Sequence, residues 1–297
     1  MQIWYGDEAV AHWAADDRGI AYGDGLFETI RVCAGRGVLL AEHLQRLQQG
    51  CRQLGIPFLA SWPERINRFL AEAADGILRV QVTRGAGGRG YQSPQPITPG
   101  FALSWHALPN YPAQYAQWGI RVADAPFALA AQPMLAGIKH SNRLEQVLLR
   151  DALATQPQCQ ELVVCNAAGE LIEGVFSNLF LVRDGILLTP PVTACGIAGA
   201  LRAAALRHEA GDHAVELHPV VEAFIGKLDD PGDVAGCEVG PQLDFDVAAA
   251  AEREGKVFGH GSVSCNLRAD IGGLSTKSRP QRFAGLLLLS GSLDRPQ

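Results

Sequence analysis

The sequence lacks an excess of positive charge and any long hydrophobic run. Its 297 residues hold 25 Lys and Arg against 31 Asp and Glu, which gives a formal net charge of −6 and a pI near 5.8. Nucleic acids and anionic membranes attract basic surfaces, so the composition predicts neither as a partner. The longest aliphatic run, Leu286 to Leu289, falls far short of the roughly 20 apolar residues that span a bilayer.

Ordered cysteine spacing is lacking as well. The chain has seven cysteines, an odd number, and none belongs to a CxxC pair or a Cys/His ligand pattern. This usage predicts neither a disulfide framework nor a zinc site, so no metal is expected. Residues 1–8 have neither the basic flank nor the apolar stretch of a signal peptide. We therefore expect the protein in the reducing environment of the cytoplasm.

The sequence does have enough apolar residues, 47%, for a sizeable core. Strand and helix patterns alternate irregularly, and Pro109-Asn110-Tyr111-Pro112 is typical of a linker. We predict an α+β (mixed α/β) protein with a smaller N-terminal domain at 1–108 and a larger domain at 113–297.

Apolar spacing predicts the main elements that surround the candidate residues. Positions 40, 44, 47, 51 and 54 recur at helical spacing, and Leu26 to Val32 and Ile77 to Thr83 are typical of strands. A further helix is predicted over about Asn142 to Leu153. Asp184-Gly185 is a strong signal for a two-residue hairpin.

The loop at 85–90 has the spacing G-x-G-x-x-G after a strand, which can indicate a dinucleotide site. That site requires a helix directly after the glycines, and the segment Tyr91 to Pro96 contains two prolines and cannot begin one. We therefore reject a dinucleotide site. The loop predicts either a carboxylate grip formed by Arg84, Arg89 and Tyr91 or a plain hairpin tip.

Lys139 stands between a short apolar run and the predicted helix. Unpaired N–H groups and the positive end of the dipole at a helix start disfavour an ammonium and favour a lower pKa. Such a lysine can form a Schiff base or act as a general base. On this segment alone, an ordinary surface lysine at a helix start is the alternative.

Three further features could belong to a binding site. Small residues at 196–199 precede a predicted helix, so they form either an anion site or a tight turn that binds nothing. Arg46 could pair with a bound phosphate or simply with Glu42. Glu173, at the end of a predicted strand, could face a pocket or solvent.

Taken together, these features occur in the order of a known family. The segments are YGDGLFETIR at 22–31, HLQRL at 43–47, the lysine at 139, EGVFSNLF at 173–180 and GIAG at 196–199. They resemble the fold-type IV pyridoxal-phosphate enzymes, which include branched-chain and D-amino-acid aminotransferases. Within that family, TRGAGGRGY at 83–91 and LAGIKHSNRLEQVL at 135–148 are most similar to a lyase branch.

The resemblance implies a role for each matching residue. Lys139 would bind pyridoxal phosphate as a Schiff base, and Glu173 would pair with the pyridine nitrogen of that cofactor. Arg46 and the N–H groups of Ile197 and Ala198 would hold the phosphate. Asn178 would support the loop beside the ring. Weaker candidates for the substrate pocket are Tyr22, Phe27, Arg84 and Tyr91.

The lyase branch implies a reaction on a small molecule. Its members convert 4-amino-4-deoxychorismate to 4-aminobenzoate and pyruvate, a step of folate biosynthesis, and Lys139 would remove the C4 proton of the substrate. A homodimer is implied by the resemblance alone. The alternatives are an aminotransferase for branched-chain or D-amino acids and a non-catalytic relative with a damaged phosphate pocket.

The resemblance covers residues 1 to about 215 and stops beyond about 220. The family continues with a strand that leads to a small polar residue, which is a second anchor for the phosphate, and then with a short hydrophobic segment that contains proline. Neither feature is found from Val220 onwards. Residues 228–297 are instead rich in Gly, Asp, Ser and Arg and have weak periodicity. The sequence supports no convincing contribution to the core from this segment.

Overall fold

The computed structural model describes residues 1–112, 115, 120–183, 186–209, 215–217 and 283–289, with the backbone alone at 182–183, 186–187, 208–209, 215–217 and 283–289. The chain forms two compact units. Unit 1 holds Met1–Pro109 with Gly137–Leu144, and unit 2 holds Asn110–Ala136 with Glu145–Gln297. The predicted class of mixed helix and sheet is confirmed.

Unit 1 is one antiparallel sheet with helices. Its elements are β1 (Gln2–Tyr5), β2 (Glu8–Val10), α1 (Arg18–Tyr22), β3 (Gly25–Cys33), β4 (Arg36–Gly37), α2 (Leu40–Leu54), α3 (Ser61–Glu72), β5 (Gly76–Thr83) and β6 (Gly100–His106). The strand order is β2-β1-β6-β5-β3-β4. Every neighbouring pair is antiparallel.

The core of unit 1 lies between the sheet and helices α2 and α3. Alternate residues of β3, including Leu26 and Ile30, are buried, as the period of a half-buried strand requires. The rings of Trp62 and Phe101 stack with centroids 5.0 Å apart. Gly25 begins β3 where a Cβ would collide with the backbone carbonyl of Val82, so the sheet needs glycine there.

The loop between β5 and β6 contains no helix, which confirms that the glycines at 85–90 do not form a dinucleotide motif. Gly85, Gly87, Gly88 and Gly90 all have positive φ. The loop is therefore a glycine-dependent excursion of the backbone between two antiparallel strands.

The lysine segment belongs to unit 1, which the sequence did not predict. The N–H of Phe27 donates to the carbonyl of Lys139 at 3.0 Å, and the N–H of Ser141 donates to the carbonyl of Gly25 at 2.9 Å. The next helix, α4, begins only at Leu144. The expectation that Lys139 stands at a helix start was wrong, because this segment is held by β3 and not by the first turn of α4.

Unit 2 is built on a second, mixed sheet. Its elements are β7 (Val122–Asp124), α4 (Leu144–Ala154, from its second residue), β8 (Glu161–Cys165), β9 (Leu171–Gly174), β10 (Asn178–Arg183), β11 (Ile186–Thr189), α5 (Ala200–Glu209), β12 (Val215–Leu217) and β13 (Phe283–Leu289). The order is β12-β11-β10-β9-β8-β7, and β13 also pairs with β10. Helix α4 contributes Leu149 and Leu153 to the core.

One strand of unit 2 comes from the C-terminal residues. Phe283–Leu289, in the segment from which no convincing core contribution could be derived, pairs antiparallel with β10 from Asn178↔Leu289 to Arg183↔Phe283. Most of the predicted atypical segment, about 221–297, lies outside the described residues, which resume only at 283–289. The predicted hairpin turn Asp184-Gly185 also lies outside them, although Arg183 and Ile186 pair on either side of it. In the described part of the chain, no helix is long and apolar enough to cross a membrane.

Candidate active site

Lys139 is half-buried and lies beside β3 of unit 1. Its Nζ lies 4.6 Å from the centroid of the Phe27 ring, which is a cation–π distance. It is also the only lysine in the first 226 residues, the other three being Lys227, Lys256 and Lys277. Any chemistry of a primary side-chain amine in that part of the chain must therefore use Lys139.

Arg79 is a neighbour of this lysine that the sequence did not predict. Its Cζ lies 4.5 Å from the centroid of the same Phe27 ring. Arg79 pairs across the sheet with Thr29, and burial lowers the pKa of its guanidinium. The available signal was a single basic residue inside the apolar strand at 77–83. Phe27 thus contacts two cations.

Arg46 is held by the buried carboxylate of Glu28, a partner that was not considered from the sequence. Its Nε donates to Glu28 Oε1 at 2.8 Å, and its Nη2 donates to Glu28 Oε2. His43 Nδ1 lies 2.6 Å from the same Oε2. Glu28 and His43 belong to the family segments, but no role was assigned to either from the sequence.

Glu173 is buried at the end of β9, with 3% of its surface exposed. Its Oε2 accepts a hydrogen bond from the N–H of Ile197 at 2.8 Å. The structure therefore brings together two residues that the sequence placed in one site. It also means that the N–H predicted to bind phosphate is directed at the Glu173 carboxylate.

Asn178 ties the first residue of β10 to the turn before α5. Its Nδ2 donates to the carbonyl of Ile197 at 2.8 Å, and its Oδ1 accepts from the N–H of Gly199 at 3.1 Å. Gly196 has φ +83°, and a Cβ there would lie 2.7 Å from Ile172 Cγ2. Glycine is thus required at position 196, at the beginning of a turn that lies directly before a helix N-terminus.

Glu161 fixes the turn that separates Glu173 from Asn178. It is fully buried, and its two carboxylate oxygens accept from the N–H groups of Leu162, Val175 and Phe176 and from Ser177 Oγ, over 2.9 to 3.4 Å. Burial raises the pKa of this carboxyl, and the hydrogen bonds oppose the rise. A single buried Glu at the start of a strand was the signal that the sequence offered.

Arg84 is engaged within unit 1. It donates two hydrogen bonds to Asp24 and one each to the carbonyls of Leu54 and Gly55. A guanidinium has five N–H donors, and these four hydrogen bonds use most of them. The geometry gives Arg84 a part in holding the loop after β5, and its contact with substrate stays a prediction.

Tyr22 and Tyr91 lie together at the surface of unit 1. Tyr91 is 87% exposed and Tyr22 40% exposed, and their ring centroids are 5.4 Å apart. Arg18 secures the loop below them by donating to the carbonyls of Gly90, Tyr91 and Gln92. The two rings are positioned, and their role toward a substrate stays a prediction.

The stretch from β3 to beyond α5 defines the class of protein. Residues 25–225 match the model of the amino-transferase class IV family. Because this match covers more than half of the chain, the chain belongs to that family. The fold-type IV resemblance seen in the sequence is confirmed.

Two relatives within this class are named lyases. The structure of 4-amino-4-deoxychorismate lyase from Pseudomonas aeruginosa is 40% identical, with a TM-score of 0.70 over 76% of this chain and 84% of that one. Aminodeoxychorismate lyase from Vibrio harveyi is 32% identical over 214 residues, 69% of this chain and 76% of the relative.

A second similar structure is that of a hypothetical aminotransferase from Mycobacterium tuberculosis in a PLP-bound form. It is 24% identical, with a TM-score of 0.60 over 76% of this chain and 84% of that one. At this identity the likeness concerns the fold alone.

Proposed function

We propose that this chain is a pyridoxal-phosphate-dependent lyase that converts 4-amino-4-deoxychorismate to 4-aminobenzoate and pyruvate. The observation that carries the proposal is the 40% identity to a lyase of that name, which extends over most of both chains. The second named lyase supports the same substrate. Lys139, as the only lysine before residue 227, is the residue on which the chemistry would depend.

The residues present fit pyridoxal phosphate by their chemistry. Lys139 offers a primary amine for the aldehyde, and the buried Glu173 offers a carboxylate for a protonated pyridine nitrogen. Arg46 offers a guanidinium for the phosphate. The N–H of Ile197 donates to Glu173, and Arg46 and Ala198 are the other residues proposed for the phosphate. Asn178 would keep that turn in place.

The reaction requires one proton transfer at the substrate ring and one bond cleavage. When bound, pyridoxal phosphate supplies an electron sink for the carbon next to the substrate nitrogen. Lys139 Nζ would remove the proton from C4. The electrons left by that proton would form the new ring double bond while the bond to the enolpyruvyl oxygen breaks. The ring becomes aromatic, and the released enolpyruvate takes a proton to become pyruvate.

The central test uses Lys139→Ala in the purified full chain. We expect loss of pyruvate release and of the visible absorption band of the lysine-bound cofactor, because no other residue in 1–226 has a primary side-chain amine. Borohydride reduction of the wild type followed by peptide mapping should label the peptide that contains Lys139. Lys227→Ala is the matched control and should keep both signals. Near-normal turnover in Lys139→Ala would refute the assignment.

An aminotransferase is the second candidate, since the family is named for that activity. The two functions differ in what they need. Pyruvate release from 4-amino-4-deoxychorismate without any added keto acid supports the lyase. Amino transfer that depends on a keto acid, without such release, supports the aminotransferase.

A cytoplasmic homodimer is part of the proposal. The five cysteines among the described residues, Cys33, Cys51, Cys159, Cys165 and Cys195, are free thiols, which is typical of a reducing compartment. The dimer is proposed from the family alone, and light scattering of the purified protein would measure it.

A further inference from the structure

Glu28 is a buried carboxylate to which the proposed reaction gives no role. It projects from the core-facing side of β3 between Leu26 and Ile30 and is 1% exposed. A charge in such a place is tolerated only when it is paired and hydrogen-bonded. The partner is Arg46, which meets it through two N–H groups in a fork.

His43 contacts the same carboxylate oxygen of Glu28, Oε2, to which Arg46 Nη2 donates. His43 and Arg46 are three residues apart, so they lie on one face of α2. Because an ionised carboxylate only accepts, His43 Nδ1 carries the proton in its 2.6 Å contact with Glu28 Oε2. His43 Nε2 is buried and has no hydrogen-bond partner within the described part of the chain. The polar bonding of this ring is therefore directed at Glu28.

The charges in this cluster keep Glu28 ionised. Burial by itself raises the pKa of Glu28, but the charge and hydrogen bonds of Arg46, with those of His43, lower it to about 2. Arginine is a long side chain with many rotamers, and ordering it on binding costs conformational entropy. A fork of two N–H groups on a fixed carboxylate sets the plane of its guanidinium before any ligand binds.

We propose that Glu28, supported by His43, is a positioning residue that fixes the guanidinium of Arg46 for binding the phosphate group of pyridoxal phosphate. The inference rests on the proposed function, because it takes Arg46 as a phosphate ligand. It concerns one part of the cofactor alone. Loss of Glu28 weakens recognition of the phosphate and leaves recognition of the ring and the aldehyde unchanged.

The experiment compares two ligands that differ in the phosphate. Dissociation constants for pyridoxal phosphate and for pyridoxal are measured by absorbance titration of the full chain. The constant for pyridoxal divided by the constant for pyridoxal phosphate gives the phosphate selectivity. We expect Glu28→Gln to lower this ratio on the order of ten-fold, because a charge-assisted fork is lost. The dissociation constant for pyridoxal should stay within about two-fold. A purely structural defect would weaken both ligands alike.

Two further variants make the test specific. In an Arg46→Ala background, Glu28→Gln should change the ratio no further, because its effect passes through Arg46. Glu64→Gln is the matched control. Glu64 also pairs with an arginine of unit 1, Arg68, but on the exposed face of α3. This variant should keep the wild-type ratio.

A second pair of variants applies if Glu28→Gln does not fold, as judged by circular dichroism. His43→Leu removes the donor to Glu28, whereas the amide of His43→Asn can still donate. We expect the leucine variant to lose selectivity several-fold and the asparagine variant to keep most of it.

The outcomes separate the two proposals. An unchanged ratio in Glu28→Gln, or in His43→Leu where the former does not fold, overturns the role of Glu28 and leaves the proposed function standing. The role of Glu28 is also overturned if Glu28→Gln still lowers the phosphate selectivity in the Arg46→Ala background. A wild-type protein that binds no pyridoxal phosphate overturns both.

Discussion

His140, the residue after Lys139, has a ring whose charged form the fold disfavours. Burial, and next the charge of Arg143, lower its pKa from 6.5 to about 4. Its Nδ1 is buried without a hydrogen-bond partner in the described part of the chain. Between pH 6.5 and pH 4 the unfolded chain therefore binds a proton at this position that the folded chain does not. The stabilising effect is complete above pH 6.5 and is lost as the pH falls toward 4.

We expect His140→Gln to flatten the pH dependence of stability in this window. The difference from the wild type should be roughly 1 kcal/mol between pH 7 and pH 4.5, once solvent screening of a partly exposed ring is allowed for. Urea midpoints measured across that range would show it. His12→Gln replaces an exposed histidine and should keep the wild-type slope. Equal slopes in the His140 variant and the wild type would contradict the assignment.

The residue types of the candidate site could be inferred from the sequence, but their partners could not. Lys139, Arg46 and Glu173 stood in recognisable segments. The fork joins Glu28 of β3 to Arg46 of α2, and the cation–π contact joins Phe27 of β3 to Arg79 of β5. Both contacts depend on how α2 and β5 pack and pair with β3. Local spacing within β3 does not encode that arrangement.

At the scale of elements, Glu161 connects three strands of unit 2. It begins β8 and accepts hydrogen bonds from the turn between β9 and β10. Glu173 precedes this turn and Asn178 follows it. Among the described residues, Glu161 is the side chain that accepts hydrogen bonds from the N–H groups of this turn. It therefore holds the spacing of the two proposed cofactor ligands.

We expect Glu161→Gln to lower the free energy of unfolding by about 1–3 kcal/mol, because a donor amide replaces an oxygen that faces N–H groups. Affinity for pyridoxal phosphate should fall as well, since Glu173 and Asn178 flank the turn. Urea unfolding and absorbance titration would measure the two effects. Glu170→Gln is the control from the adjacent hairpin, where a half-buried carboxylate accepts from Asn166 Nδ2. A loss no larger than in this control would contradict the role of Glu161.

Elements with strong periodicity were predicted well. The helical spacing over 40–54 predicted both ends of α2 correctly. The strand predicted over 77–83 is one residue shorter than β5, which begins at Gly76. Strands β1, β2 and β6 were not predicted, because their short or uneven patterns acquire order only by pairing with one another and with β5. The lysine segment was misread for a related reason, since its partner β3 lies more than one hundred residues earlier.

At the scale of the whole molecule, the two sheets differ in how the chain completes them. The six strands of the unit 1 sheet all lie within residues 2–106, whereas β10 in unit 2 pairs with β13, about one hundred residues further along the chain. β10 begins with Asn178, which ties down the turn before α5. The C-terminal strand therefore supports an element on which the proposed cofactor site depends.

Proline substitution in β13 tests this pairing through the backbone. Leu287 pairs with Phe180, and Leu288 pairs with Leu179. N–H groups alternate between the two sides of a strand, so one of the single variants Leu287→Pro and Leu288→Pro removes a donor that faces β10. We expect that variant to lose roughly 1–3 kcal/mol of stability. Hydrogen exchange of the peptide that contains 178–183 should become faster.

The control is Ser292→Pro, three residues beyond the last residue of β13, which should leave exchange in β10 unchanged. Pyridoxal phosphate affinity should fall together with the protection of β10, since a looser β10 loosens Asn178. Unchanged exchange at 178–183 in both strand variants would contradict the β10–β13 pairing. Faster exchange with unchanged cofactor affinity would keep the pairing but separate it from the site.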